Sequence, residues 1–183
     1  MIFGEAPGPR GAEKSGIPFW GDRAGLPLYR VLQDLGLASF PPACLDRWDG
    51  QTLKNLGLVP SLRGVALSNA FPRCPTSDGE HFRAPTHGEL MEKENLARLR
   101  AELGEAAGRG LRQVLTLGRR AAWVLERLDP GPPCPVRALP HPSAQGLLQA
   151  APGRGKGLRL AVLQRAWEQE LARLLGDLFP RMS

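Results

Sequence analysis

Two stretches of this chain carry residue types suited to chemistry on a bound molecule. Residues 4–19, GEAPGPRGAEKSGIPF, hold two carboxylates, Glu5 and Glu13, in one glycine- and proline-rich loop. Such a loop lets backbone N–H groups approach a ligand closely, because glycine has no side chain to keep it away and successive amides form a concave surface. Residues 141–146, HPSAQG, add the imidazole of His141 and the hydroxyl of Ser143. Together they describe a ligand cradle edged by carboxylates, with an imidazole supplied from far along the chain.

The elements that must bring these loops together follow from the apolar pattern. Residues 1–3, 64–67, 113–117 and 136–139 are short apolar runs that read as buried strands. Helical spacing separates them. Residues 22–35 stop near Gly36, residues 86–103 open at a cap and align Leu90, Leu96, Leu99 and Leu103, and residues 119–128 and 158–178 complete the set. Parallel strands need crossovers, usually helices, so the expected fold is α/β: a three-layer α/β/α sandwich around a four-stranded parallel sheet. In open parallel sheets the carboxyl ends of the strands line the ligand crevice. Loops 4–19, 69–85 and 141–155 leave those ends, so Glu5, Glu13, Asn69 and His141 are expected to meet. Residues 130–135 read as a rigid connection and residues 151–157 as a mobile basic loop.

The chain has 183 residues, 42% of them hydrophobic, enough for one buried domain over residues 1–183. Its formal charge of +6 comes mostly from arginine, which favours a polyanionic partner, although solvated surface arginines give the same balance. No apolar run reaches the length of a membrane span, and no basic region followed by an apolar stretch opens the chain, so a soluble protein of the cytoplasm is expected. The three cysteines, Cys44, Cys74 and Cys134, are odd in number and widely spaced, which disfavours a disulfide framework or a tetrahedral metal site. His81 and His87 fall in a polar region read as loop; only His141 has a suggestive context.

GEAPG at the start, SNAFPRCP at residues 68–75 and HPSAQG near the end resemble, in the same order, the three active-site motifs of the uracil-DNA glycosylase superfamily. The extension G-x-P-F-x-G-D-x-A-G over residues 16–25 strengthens the joint pattern. GEAPG is similar to family 4, whereas the longer loop and GDRAGLPLYRVL resemble family 5; both branches usually contain an iron–sulfur cluster. In those branches two cluster cysteines precede the first strand, which here opens the chain, and a third matches Cys74. The fourth would fall within residues 91–96, which hold no cysteine. No cluster, metal or other cofactor is therefore expected.

The resemblance implies roles residue by residue. A glycosylase rotates its target nucleotide out of the stack into a closed pocket. Asn69 matches the asparagine that reads uracil, its carboxamide complementing the O4 acceptor and N3 donor. Phe19 would stack on the base, though a core phenylalanine fits the pattern as well. A carboxylate near the sugar stabilises the developing cation and orients water, and donors near the leaving base stabilise its charge. Ala6 stands where other branches place a water-activating asparagine, so an acidic residue must substitute; Glu13 and Glu5 compete for this part, Glu13 being slightly favoured because Glu5, beside the first strand, can equally be a hydrogen-bonded structural anchor. His141 would donate to uracil O2, helped by backbone N–H groups of the first loop around Gly8. Ser143 would bind a phosphate and the Gln145–Leu148 stretch would wedge into the emptied stack, with Leu147 the wedge or the start of a helix core. Arg10, Lys14, Arg73, Arg154 and Lys156 surround these loops as candidate phosphate contacts.

The expected function is a monofunctional uracil-DNA glycosylase acting on DNA, since no lysine stands in the motifs as a Schiff-base nucleophile. A deaminated-purine glycosylase of the same fold and a catalytically weak DNA-binding relative are the alternatives. A nucleotide binder is weaker, because GEAPG matches neither a P-loop nor G-x-G-x-x-G. A monomer is usual in the family resembled.

Overall fold

The computed structural model describes residues 1–76, 78 and 81–179. Residues 77, 79 and 80 of the expected second loop and residues 180–183 of the single-domain reading lie outside the described residues.

Four strands form a parallel sheet: β1 (Ile2–Gly4), β4 (Leu67–Asn69), β5 (Val114–Leu117) and β6 (Val136–Leu139), in the order β4-β1-β5-β6. A short antiparallel pair, β2 (Ala38–Ser39) and β3 (Ser61–Leu62), lies between β1 and β4 in sequence. The helices in chain order are α1 (Ala12–Ser15), α2 (Gly25–Asp34), α3 (Ala43–Asp46), α4 (Gly50–Asn55), α5 (His87–Leu90), α6 (Lys93–Gly108), α7 (Arg119–Leu125), α8 (Ala144–Ala150) and α9 (Leu160–Gly176).

Strand alternation divides the core into two layers, as the period of two requires. Ile2, Leu115 and Leu117 pack with Leu28 and Leu32 of α2, Leu147 of α8 and Trp167 and Leu171 of α9. Phe3 and Val114 face the other way, onto Leu99 and Leu103 of α6 and Val124 and Leu125 of α7. Helices therefore cover both faces, which is the three-layer α/β/α arrangement. Among the described residues no helix is long and apolar enough to cross a membrane.

The structure corrects several boundaries. The strand expected at residues 64–67 is Leu67–Asn69, because β1 sets the register: Ile2 pairs with Leu67 and Gly4 with Asn69. Its polar residues are held from α6. Ser68 Oγ donates to Glu102 at 2.6 Å, Arg98 donates to the Asn69 carbonyl at 2.9 Å, and Asn95 donates to the Ala70 carbonyl at 2.9 Å. The helix expected over residues 86–103 is two helices. Thr86 and Glu89 form a capping box that starts α5, and Asn95 Nδ2 donates to the Leu90 carbonyl at 2.9 Å across the break before α6. His87 is no loop residue; it opens α5 and stacks on Trp123 with ring centroids 4.0 Å apart. Within the expected mobile loop, residues Pro152–Gly155 form a 3-10 turn.

The segment between β1 and β4 is locked by aromatics. Trp20, Tyr29, Phe40 and Trp48 meet edge to face, with Trp20 4.8 Å from both Tyr29 and Trp48 by ring centroid. Their polar ends bond the backbone of the first motif: Tyr29 OH donates to the Pro18 carbonyl at 3.0 Å and Trp48 Nε1 to the Asp22 carbonyl at 2.6 Å. The loop carrying Phe19 and Asp22 is thus fixed from behind before any ligand arrives.

Candidate active site at the carboxyl edge of the sheet

Register places the site. Gly4 ends β1 beside Asn69, which ends β4, while Leu117 and Leu139 pair at the ends of β5 and β6. The loops that follow share one cavity of about 1010 Å³, lined by Glu5, Ala6, Gly8, Phe19, Asp22, Gly118, Arg120, His141 and Ser143, among others.

At one side of this edge Phe19 and Asn69 converge over Gly4. A Cβ built on Gly4 would lie 2.6 Å from Asn69 Oδ1 and 2.6 Å from Phe19 Cζ, so only glycine admits both groups. Phe19 is 5% exposed and holds φ at +65°, an unfavourable backbone region for a phenylalanine that the surrounding aromatic lock sustains. Asn69 is 7% exposed. Its backbone is tied down by Arg98, but its carboxamide makes no hydrogen bond among the described residues. The carboxamide is thus left available to a ligand.

His141 lies half-buried on the same cavity. Its Nδ1 accepts the Ser143 N–H at 3.3 Å, which leaves the proton on Nε2 as a donor. Burial pushes its pKa below the ordinary value, against the opposing pull of the Glu5 and Asp22 carboxylates. The imidazole is therefore neutral at pH 7. Ser143 caps α8, its Oγ accepting the Gly146 N–H at 3.1 Å.

The carboxylates are placed differently from one another. Glu5 Oε1 accepts the Arg120 N–H at 3.0 Å and anchors the start of α7 against β1. Glu13 is exposed on α1, and its Oε2 accepts the Cys74 N–H at 3.3 Å, tying the first loop to the second motif. The expected meeting is thus partial. Glu5 and His141 share the cavity wall and Asn69 sits against Phe19, while Glu13 stands outside that lining beside Cys74.

Asp22 is a site residue that received no role from the sequence, although it stands inside the G-x-P-F-x-G-D-x-A-G pattern. It lines the cavity, accepts the Ala12 N–H at 3.0 Å, and packs against Gly8 so closely that any side chain there would collide with its carboxylate. Burial raises its pKa, opposed by hydrogen bonds from the Ala12, Gly8 and Gly11 backbone. Asp22→Ala should lower the unfolding free energy by about 1–3 kcal/mol, because the Ala12 N–H loses its acceptor. Asp22→Asn, which keeps an acceptor and the neutral form that burial favours, should retain most of it; urea unfolding of both variants checks this.

Leu147 needs correction as a DNA wedge. It is 5% exposed and packs in the core with α9, so it has no free face to insert. Gln145 is exposed at the start of α8 and lines the cavity. Arg10, Lys14, Arg154 and Lys156 are exposed; Arg73 pairs with Glu92 at 3.3 Å. Arg23, Arg119 and Arg120 also line the cavity, and none was singled out from the sequence, because nothing in their spacing marks the end of β5 or the loop before α2 as part of the crevice.

The fold is a parallel sheet with helices on both faces, with a glycine loop after its first strand and the His141 loop meeting at its carboxyl edge. Residues 1–169 match the family described as the uracil DNA glycosylase superfamily, and the chain belongs to that superfamily. A 41-residue stretch is 46% identical to a type-5 uracil-DNA glycosylase of Thermus thermophilus, covering 22% of this chain and 19% of that relative.

The iron–sulfur cluster of the resembled branches finds no fit here. Cys44 is fully buried with the aromatic lock, Cys74 lies beside Glu13, and Cys134 lies near the amino terminus. Among the described residues no three His, Cys, Asp or Glu side chains gather as a metal set.

Proposed function

We propose that this protein is a monofunctional uracil-DNA glycosylase, which flips uracil from DNA and hydrolyses its N-glycosidic bond to leave an abasic site. The observation that carries this reading is Asn69, a buried residue whose carboxamide makes no hydrogen bond among the described residues, set beside the Phe19 ring with its backbone tied to Arg98 of α6. Its acceptor and donor complement uracil N3–H and O4, while cytosine presents the reverse pattern. Phe19 supplies the stacking face.

Bond cleavage separates an oxocarbenium-like sugar from an anionic base. His141 donates from Nε2 to uracil O2 as negative charge develops there, and backbone N–H groups near Gly8 assist. A neutral donor is favoured because a protonated Nδ1 would confront the Ser143 N–H that it now accepts. On the sugar side Glu13, with one oxygen free of hydrogen bonds among the described residues, orients water and stabilises the cation; Glu5 holds the loop to α7 and adds negative potential. Arg10, Lys14 and Arg73, with Arg154, Lys156 and Ser143, take the flanking phosphates. DNA is the partner, the protein acts as a monomer in the cytoplasm, and no cofactor takes part.

Because burial lowers the His141 pKa, the folded site stays neutral while pH falls through the ordinary histidine value of about 6.5. Single-turnover excision should therefore be level from neutral pH to about 6.5 and fall only below it. An acid limb centred above that value would contradict a neutral donor.

A purine reading has one observation in its favour: the cavity, at about 1010 Å³, has room for a bicyclic base. Labelled duplexes carrying uracil, hypoxanthine or no lesion separate the two. Strand scission only after alkali, on the uracil duplex, supports the proposal; scission on hypoxanthine alone moves the assignment to a deaminated-purine glycosylase.

A further inference from the structure

A nucleotide turned out of the duplex leaves a hole in the stack, and proteins that hold such a hole open fill it with an apolar or aromatic side chain. That residue must be exposed in the free protein, stand at the rim of the cavity that receives the base, and be braced from behind. Leu147 fails on exposure, being 5% accessible. The exposed large hydrophobic residues among the described ones are spread over the surface, and Phe82, 48% exposed, is the one that also lines the cavity with His141 and Phe19.

We infer that Phe82, resting on the glycosylase reading above, is the residue that enters the base stack when the target nucleotide is flipped. The described residues around it are tied down. Phe82 bridges Thr76 in an antiparallel contact, and the Arg83 N–H donates to the Pro75 carbonyl at 3.0 Å. The Arg83 guanidinium grips both carboxylate oxygens of Glu89 at 2.7 and 2.6 Å, and Glu89 itself closes the capping box of α5. On the near side of Phe82, the His81 N–H donates to Asp78 Oδ1 at 2.7 Å. The aromatic ring is thus exposed at the cavity rim, with the described residues on either side of it held by hydrogen bonds. Arg23 and Arg119 line the same cavity and make no ion pair among the described residues, which leaves them for the phosphates on either side of the gap.

This assigns the protein a duplex substrate, since only a duplex has an intact stack to fill. Phe82→Ala, Phe82→Leu and Phe82→Trp are compared with wild type for uracil excision under single-turnover conditions, on duplex and on single-stranded DNA. Phe82→Ala should slow duplex excision about 10- to 100-fold, with single-stranded excision changed less than about 3-fold and duplex activity restored by Phe82→Trp. Equal losses on both forms, or no loss on duplex, would overturn the inference. Wild-type excision from the single strand, which needs no wedge, reports separately on the glycosylase reading. A second arm needs no catalysis: a duplex with a tetrahydrofuran abasic analogue opposite 2-aminopurine is titrated with each variant. A fluorescence change on binding of wild type that Phe82→Ala loses supports insertion; the same change in both proteins refutes it.

Discussion

Asn69→Leu should reduce uracil excision on the order of 10⁴-fold while leaving the fold intact. Leucine keeps the branched outline of asparagine, with methyl groups in place of the amide oxygen and nitrogen, and the tether that fixes this residue runs through its backbone carbonyl to Arg98, not through its side chain. The carboxamide has no hydrogen-bond partner among the described residues, so the substitution strands no protein group and stability should change little. Activity therefore falls while stability is nearly kept. That pairing is diagnostic, because a residue kept for packing would lose both. Thermal unfolding alongside single-turnover kinetics provides the check, and a loss of excision below about 10-fold would mean that the base is read elsewhere.

His141→Ala should slow excision by roughly 10²–10³-fold, the usual effect of removing one donor from the site of developing negative charge. The loss belongs in the chemical step, since the phosphate contacts proposed here come from other residues. DNA affinity, measured by anisotropy with a non-cleavable uracil analogue, should change little. His141→Gln, which returns a donor of similar reach, should recover part of the rate. Equal falls in affinity and rate for the alanine variant would instead make His141 a binding residue. The neighbouring carboxylates pull against burial in setting its protonation, so Glu5→Gln should lower its pKa further and move the acid limb of the pH profile downward.

Much of this architecture is legible in the sequence because it rests on local signals. Strand-sized apolar runs separated by helical spacing give the parallel sheet, and loops after strand ends give the crevice; Glu5, Glu13, Asn69 and His141 are placed on that edge in this way, and Phe19 by its resemblance to the family motif, although Glu13 stands outside the cavity lining. What escapes is set by tertiary contacts. The register of β4 depends on β1 and on α6, whose Asn95, Arg98 and Glu102 hold the strand that bears Asn69 through contacts that no local spacing marks. Asp22 escapes because its carboxylate acts across ten residues, on the Ala12 N–H. Leu147 reads equally as wedge or core until α9 is seen to cover it. The antiparallel pair β2 and β3 leaves no signal, since two-residue strands are too short for alternation to register.

The most direct test of the central claim is the release of free base from duplexes carrying one uracil, one hypoxanthine or one thymine, measured chromatographically in a single turnover with wild type and Asn69→Leu side by side. The account predicts uracil release by wild type far above the other two bases, and its near-complete loss in the variant. Uracil release that survives the loss of the Asn69 carboxamide would contradict it.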